Sequence, residues 1–261
     1  MSEFKIQKFP ITRIASIDVC AVGQQKHHIT AMIEIDVTIS REKIRKYRKE
    51  INPISFNAWL IKVLSLTIKD HEPAAAYLKG KNKVLIFKDI NVSIVIEKEI
   101  NGQKVPIPLI LEKANERSIE SITCQIDDAK KIILSDKDIV LQKKSSQFER
   151  FYCSLPGFIR RFIWRCLLSH PHFAYTKMGN VAITSIGTIG NVNGWFIPIS
   201  VHPICFGIGN ITKKPVVVND KIEIREILNM TVLLDHDVID GAPMARFIKN
   251  LSKNIENGIE L

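Results

Sequence analysis

The run Leu233-Leu234-Asp235-His236-Asp237-Val238-Ile239-Asp240-Gly241-Ala242 admits few backbone courses. An apolar strand ends there, a tight polar turn follows, and a helix opens with Gly241 and Pro243 near its first turn, where a missing N–H costs nothing. Met244, Ile248, Leu251 and Ile255 step by 4, 3 and 4 residues along one face of that helix, and Gly258 can terminate it. Upstream, from Asn180, apolar runs alternate with turn signals. Residues 181–186, 187–194, 204–208, 216–218, 222–224 and 228–234 read as strands.

The earlier part of the chain supplies helices to cover them. Ile29, Ala31, Ile33 and Ile35 alternate with Thr30, Glu34 and Asp36 as in a half-buried strand. Two helices follow, over 40–51 and 56–69; Trp59, Ile61, Leu64 and Ile68 give the second an apolar band suited to lying on a sheet, and Pro73 stops it. Strands are expected over 84–87 and 92–96, joined by a turn at Lys88-Asp89, and over 105–111. A charged helical region runs from 118 to 147 with Ser118 as cap.

Residues 155–168 form a basic amphipathic helix. Leu155, Phe158, Ile159, Phe162, Ile163 and Leu167 fall at helical spacing, with Arg160, Arg161 and Arg165 on the other faces. Such a helix can lie on a membrane surface; the preferred reading is that it covers a core or a subunit contact. No repeat or Pro/Ala-rich linker interrupts the chain, so residues 1–261 are read as one domain.

Lys and Arg number 37 against 27 Asp and Glu, a formal charge of +10. That balance favours phosphate-bearing partners without choosing a nucleotide, a nucleic acid or an acidic lipid surface. Much of it reads as solvated helix face, as in Arg41, Lys43, Arg45, Lys46, Arg48 and Lys49. No aromatic-basic platform argues for nucleic acid. No run reaches the roughly 18 apolar residues of a membrane span, and the first residues lack a secretory signal, so a cytoplasmic location is expected. Cys20, Cys124, Cys153, Cys166 and Cys205 form an odd, scattered set without C-x-x-C spacing, against a disulfide framework or a zinc site, and are read as reduced and mostly packed. Neither His27-His28 nor His170 with His172 has metal-ligand spacing, so no metal is expected.

His236, held at a strand end, can act as a base because its reference pKa of about 6.5 lies near neutrality, and flanking aspartates can orient the ring or its surroundings. A histidine that merely caps the turn fits the same spacing, which leaves both readings open.

A resemblance decides between them. His236-x-x-x-Asp240-Gly241 resembles the H-x-x-x-D-G signature of the chloramphenicol acetyltransferase superfamily, and the run from Asp235 to Phe247 is similar to the catalytic domain of dihydrolipoamide acyltransferases, especially its stand-alone bacterial members. Residues 182–190 are similar to that family's T-I-S-N-x-G-x-x-G stretch. Phe196-Ile197-Pro198-Ile199, Pro203 and Gly207-Ile208-Gly209 follow its F-x-P-I, P and G-x-G positions. Glu34 to Thr38 look like its E-x-D-x-T element, and Thr12-Arg13-Ile14-Ala15 like its R-x-x-I-A element with two residues missing.

The resemblance implies an α/β fold, a mixed sheet flanked by helices of the chloramphenicol acetyltransferase kind, and a single acyltransferase catalytic domain with no lipoyl or subunit-binding domain. It implies acyl transfer from a thioester, acyl-coenzyme A, to a thiol or hydroxyl, with His236 as general base and the hydroxyl of Thr184, or the adjacent Ser185, stabilising the oxyanion. Asp240 would hold the site's architecture through an ion pair with an N-terminal arginine, for which Arg13 is the candidate. Asp237 stands where many relatives carry Arg. The family builds its site between subunits of a homotrimer, and any lipoyl or phosphopantetheine carrier would come from another protein. The coenzyme A-binding residues are not named by the resemblance. Two other readings are a catalytically silent scaffold that keeps the fold, and a membrane-surface acyltransferase acting on lipid.

Overall fold

The computed structural model describes residues 3–6, 9, 12–80, 82–100, 103–131, 151–187 and 192–261. In chain order these form α1 (Thr12–Gly23), β1 (His28–Asp36), α2 (Thr38–Glu50), α3 (Phe56–Asp70), β2 (Tyr77–Lys79), β3 (Lys83–Leu85), β4 (Val92–Ile100), β5 (Gln103–Leu111) and α4 (Ile119–Lys131). The rest is α5 (Gly157–Leu168), α6 (Pro171–Met178), β6 (Val181–Ser185), β7 (Ile204–Val218), β8 (Lys221–Asp235) and α7 (Gly241–Asn257). The main sheet has the order β1-β8-β7-β6-β4-β5. β6 runs parallel to both β7 and β4, and the other neighbours are antiparallel. The expected mixed α/β architecture is therefore the one observed.

Alternation along the strands decides which face is covered. Phe206, Leu228, Met230, Val232 and Leu234 share a core with Trp59, Leu64 and Ile68 of α3 and Phe247, Leu251 and Ile255 of α7. The Ser55 hydroxyl caps α3 by accepting the Ala58 N–H at 3.0 Å. Gly258 closes α7 in the left-handed region, as its position in the sequence predicts. On the opposite face, the segment 192–200 crosses the sheet where β7 carries Gly207 and Gly209. A Cβ at Gly207 would lie 3.0 Å from the Phe196 carbonyl oxygen, and one at Gly209 would lie 2.8 Å from that of Asn229. The Asn229 amide donates to the Gly194 carbonyl at 3.3 Å, and the Trp195 indole donates to that of Ile33 at 3.0 Å.

Several expectations need correction. The runs 204–208 and 216–218 are one strand, as are 222–224 and 228–234, because a bulge between Ile208 and Ile211 bends the ladder without ending it. Asn219 and Asp220, both at positive φ, make the tight turn between β7 and β8. Beyond the neighbouring strands the outer halves of β7 and β8 continue as a two-stranded arm that exposes Val217, Ile222 and Ile224. The strand near Val84 ends at Leu85 and pairs with β2, so Lys88-Asp89 joins two different sheets. Residues 192–194 carry no strand, and 188–191 lie outside the described residues. Of the expected 118–147 helix, α4 is described over Ile119–Lys131 and the remainder lies outside the described residues; the Ser118 hydroxyl accepts the Ser121 N–H at 3.2 Å. α1 has no counterpart in the sequence reading.

The helix expected over 155–168 is present as α5, but none of its residues is buried. It leans on α1 through polar contacts. Arg160 Nε donates to Asp18 Oδ2 at 2.6 Å, Tyr152 donates to the same oxygen at 3.0 Å, and the Trp164 indole donates to the Tyr152 hydroxyl at 2.9 Å. Nor are the cysteines mostly packed: Cys205 is buried, whereas Cys20, Cys124 and Cys166 are exposed.

Candidate active site

The turn after β8 is held from both sides. Asp235 lies opposite His28 of β1, its N–H donates to the Pro203 carbonyl at 2.9 Å, and the His236 N–H donates to the His27 carbonyl at 2.9 Å. The Asp235 carbonyl then accepts the N–H groups of Val238 and Ile239 at 3.2 and 3.3 Å. His236 therefore has a fixed backbone and an exposed side chain in the single chain.

The aspartates beside it are engaged elsewhere. Asp235 is buried and its carboxylate takes the Lys26 ammonium at 2.6 Å. Asp237 pairs with His27 Nδ1 at 2.9 Å, and that hydrogen bond raises the His27 pKa above its ordinary value. These carboxylates order the surroundings of His236, one of the two roles the sequence left open. Beneath them sits a layer of neutral imidazoles. His28 Nε2 donates to the His202 carbonyl at 2.9 Å. The His202 ring donates from Nε2 to the Met178 carbonyl at 3.0 Å and accepts the Ser200 hydroxyl at Nδ1, 3.2 Å away. Burial lowers the His28 pKa and pushes that of His202 down to about 4.

Acidification should therefore weaken the platform under His236. An unfolded histidine takes up its proton near pH 6.5, whereas the folded His202 resists down to about 4, so the unfolded state binds more protons between those values. Stability from this residue is complete above about pH 6.5 and is lost as the pH falls toward 4. Urea denaturation at about pH 7 and about pH 5 should show the loss, and His202→Gln should flatten the difference. An equal slope in both proteins would exclude His202 as its source.

Thr184 and Ser185 end β6, opposite Gly207 and Ile208 of β7. Successive strand residues face opposite ways. Ser185 shares the face of Ile183 and borders a small open cleft lined by Leu60, Ile61, Ile94, Ile183 and Lys130. Thr184 points to the other face, that of Gly207 and the crossing segment 192–200. The register puts Thr184 two strands across from β8 and level with Thr231, five residues short of His236. Strand spacing and rise make that a separation of roughly 20 Å, so one chain does not bring the two side chains together.

Asp240 is exposed just before α7; its carbonyl accepts the Met244 N–H at 3.1 Å, and its carboxylate makes no capping bond. Arg13 is exposed on α1, 6.0 Å from the Phe9 ring centre, and no ion pair joins it to Asp240 among the described residues. An arginine does secure the E-x-D-x-T element: Arg225 Nε donates to Asp36 Oδ2 at 2.7 Å, while Asp36 Oδ1 accepts the N–H and hydroxyl of Thr38 at 2.9 and 2.6 Å. The sequence reading missed Lys26, His202 and Arg225. The one signal for the first was the cluster Lys26-His27-His28 beside a strand start; the others required the pairing of β1 with β8.

Residues 6–137 and 172–261 match the family model described as 2-oxoacid dehydrogenases acyltransferase (catalytic domain). The chain is similar to the dihydrolipoyllysine-residue acetyltransferase component of the pyruvate dehydrogenase complex of Mycoplasma pneumoniae, 26% identical over 235 residues, covering 85% of this chain and 49% of the relative. It thus spans about half the length of that curated relative. Among solved structures, a probable dihydrolipoamide acetyltransferase from Listeria monocytogenes superposes with a TM-score of 0.69 at 20% identity, over 98% of this chain and 96% of the other. A chloramphenicol acetyltransferase superposes at 0.51 with 8% identity, over 98% of each chain.

Proposed function

Since the chain belongs to the family of 2-oxoacid dehydrogenase acyltransferase catalytic domains, we propose that it transfers an acyl group from acyl-coenzyme A to a thiol or hydroxyl acceptor, with His236 as general base. The observation that carries this reading is an exposed imidazole on a backbone held at both sides, with the adjacent carboxylates already engaged by Lys26 and His27. A base so placed meets an incoming nucleophile without a competing carboxylate contact. The platform of Asp235, His28 and His202 resists displacement as the proton moves.

In the reaction, His236 takes the proton from the acceptor S–H or O–H as the sulfur or oxygen attacks the thioester carbonyl carbon. The carbonyl electrons move to oxygen, and a hydroxyl donor stabilises that oxyanion. Collapse re-forms the carbonyl, breaks the bond to the coenzyme A sulfur, and returns the proton from His236 to the departing thiolate. Thr184 is the proposed oxyanion donor. Its distance from His236 within a chain agrees with a site in which one copy supplies the base and its neighbour the hydroxyl, as in a homotrimer. Asp240 would then act on site architecture rather than on the proton, with Arg13 of the same or a neighbouring chain as its partner.

The test is thiol release from a panel of acyl-coenzyme A donors with dihydrolipoamide or a short alcohol as acceptor. Saturable turnover is expected, and its absence with every pair would refute the assignment. Thr184→Ala should lower kcat by about 10²- to 10³-fold with little change in KM, the usual cost of one oxyanion donor. A comparable loss in Ser185→Ala, with Thr184→Ala unaffected, would transfer the role to Ser185. Where the physiological acceptor is a lipoyl or phosphopantetheine group, it would arrive on a carrier protein.

A further inference from the structure

We propose that the face formed by α5 and α6 docks on a lipid bilayer rich in anionic headgroups. The family match passes from residue 137 to 172, so α5 lies in a segment that the matched family model does not cover. The acyl-transfer reading neither requires this face nor uses its residues.

The first observation is an apolar helix face turned outward. α5 has no buried residue, and Phe158 and Phe162 are 68% and 63% exposed. These two, one turn apart, share a stripe with Cys166. Phe151 and Phe173 are exposed beside it, and Ile163, Cys166, Leu167, His170 and Phe173 line a shallow apolar groove between α5 and α6. The ion pair of Arg160 with Asp18 fixes the orientation of the helix, so the phenylalanines cannot turn inward without breaking a contact to a fully buried carboxylate.

The second observation is charge. From Phe151 to Asn219 the sequence contains no Asp or Glu, while Arg161, Arg165 and Lys177 lie on or beside α5 and α6. Asp18, the carboxylate that α5 touches, is buried and already held by Arg160, and Asp89 and Glu112 lie near Tyr175 of α6, so the positive charge is concentrated on the α5 side of the face. A bilayer offers an apolar interior for the phenyl rings and phosphates in one plane for the arginines and the lysine. No helix among the described residues is long and apolar enough to cross a membrane, so the surface would rest on the bilayer.

Flotation of the full chain with phosphatidylcholine vesicles, with and without about one-quarter phosphatidylglycerol, in about 0.15 M salt tests this. Binding is expected to the anionic vesicles only. Phe158→Ser with Phe162→Ser should reduce it at least tenfold, and Arg161→Glu with Arg165→Glu by about 25-fold or more, since each basic residue near such a surface contributes about a fivefold change. Lys46→Glu with Lys49→Glu on α2 should retain most binding. Circular dichroism and gel filtration of each variant establish that fold and assembly persist. The proposal is overturned if the wild type fails to float, if the α2 reversal weakens binding as much as the α5 reversal, or if the phenylalanine pair has no effect. It is equally overturned if that pair changes the assembly state while flotation stays the same, which would make the face a contact between copies.

Discussion

His236→Ala should lower kcat for acyl transfer about a thousandfold while leaving the KM for the acyl donor within a few-fold, because general-base assistance in the transition state commonly contributes about 10²- to 10⁴-fold and little to ground-state binding. The backbone bonds that hold the turn, from the His236 N–H to His27 and from the Asp235 N–H to Pro203, do not involve the imidazole. Since the side chain is exposed, the variant should fold with unchanged stability. Steady-state kinetics on the same donor panel, alongside a thermal melt, separates loss of chemistry from loss of fold. Retention of the wild-type rate would remove His236 from the mechanism. A mixture extends the test: His236→Ala and Thr184→Ala chains, unfolded together and refolded in equal amounts, should recover about a quarter of wild-type activity if each site takes one residue from each of two neighbours. Recovery would be absent if both groups had to belong to one chain.

The second large effect is structural. Arg160→Ala should destabilise the docking of α5 on α1 by about 3–5 kcal/mol, the usual cost of stranding one partner of a buried ion pair. Asp18 is fully buried, its Oδ2 is shared by Arg160 and Tyr152, and its Oδ1 has no hydrogen-bond partner among the described residues. Removing the guanidinium leaves that carboxylate with a single hydroxyl donor. Trypsin cleavage after Arg161 and Arg165 reads the local opening directly and should accelerate at least a hundredfold, while proteolysis elsewhere changes little. The paired change Asp18→Leu with Arg160→Met should restore resistance, since it removes the buried charge along with its partner. Failure of the double variant to recover would mean that the ion pair is not what holds the helix.

What the sequence disclosed follows from the range of the forces involved. Helices α2, α3 and α7 and strand β1 were legible because each carries its own periodicity and, in α7, its own terminator at Gly258. The turn bearing His236 was legible for the same reason. The continuity of β7 was not, because a bulge is a property of two paired strands rather than of one. The exposure of α5 escaped notice because an amphipathic pattern states which residues share a face but not whether anything covers that face. Resemblance supplied His236, Thr184, Ser185, Asp240 and Arg13 as candidates. It could not supply the engagement of Asp235 by Lys26 or the hydrogen bond that holds the half-buried His202 ring to Met178, which join residues 209 and 24 positions apart.

One strand of the outer arm runs without a break to the residue before the proposed base: β8 extends from Lys221 beside the arm's tip to Asp235, next to His236. At the rise of an extended chain that strand measures roughly 45 Å, and it behaves mechanically as a tie rod. A force on the arm's tip acts through the same ladder whose last rung fixes the backbone next to the imidazole. A slip of one residue would shift that end by about 3.4 Å and turn each of its side chains to the wrong layer. The irregular step between Ile208 and Ile211 interlocks the two strands against such a slip, so alignment at the tip and alignment at the reacting end are preserved or lost as one.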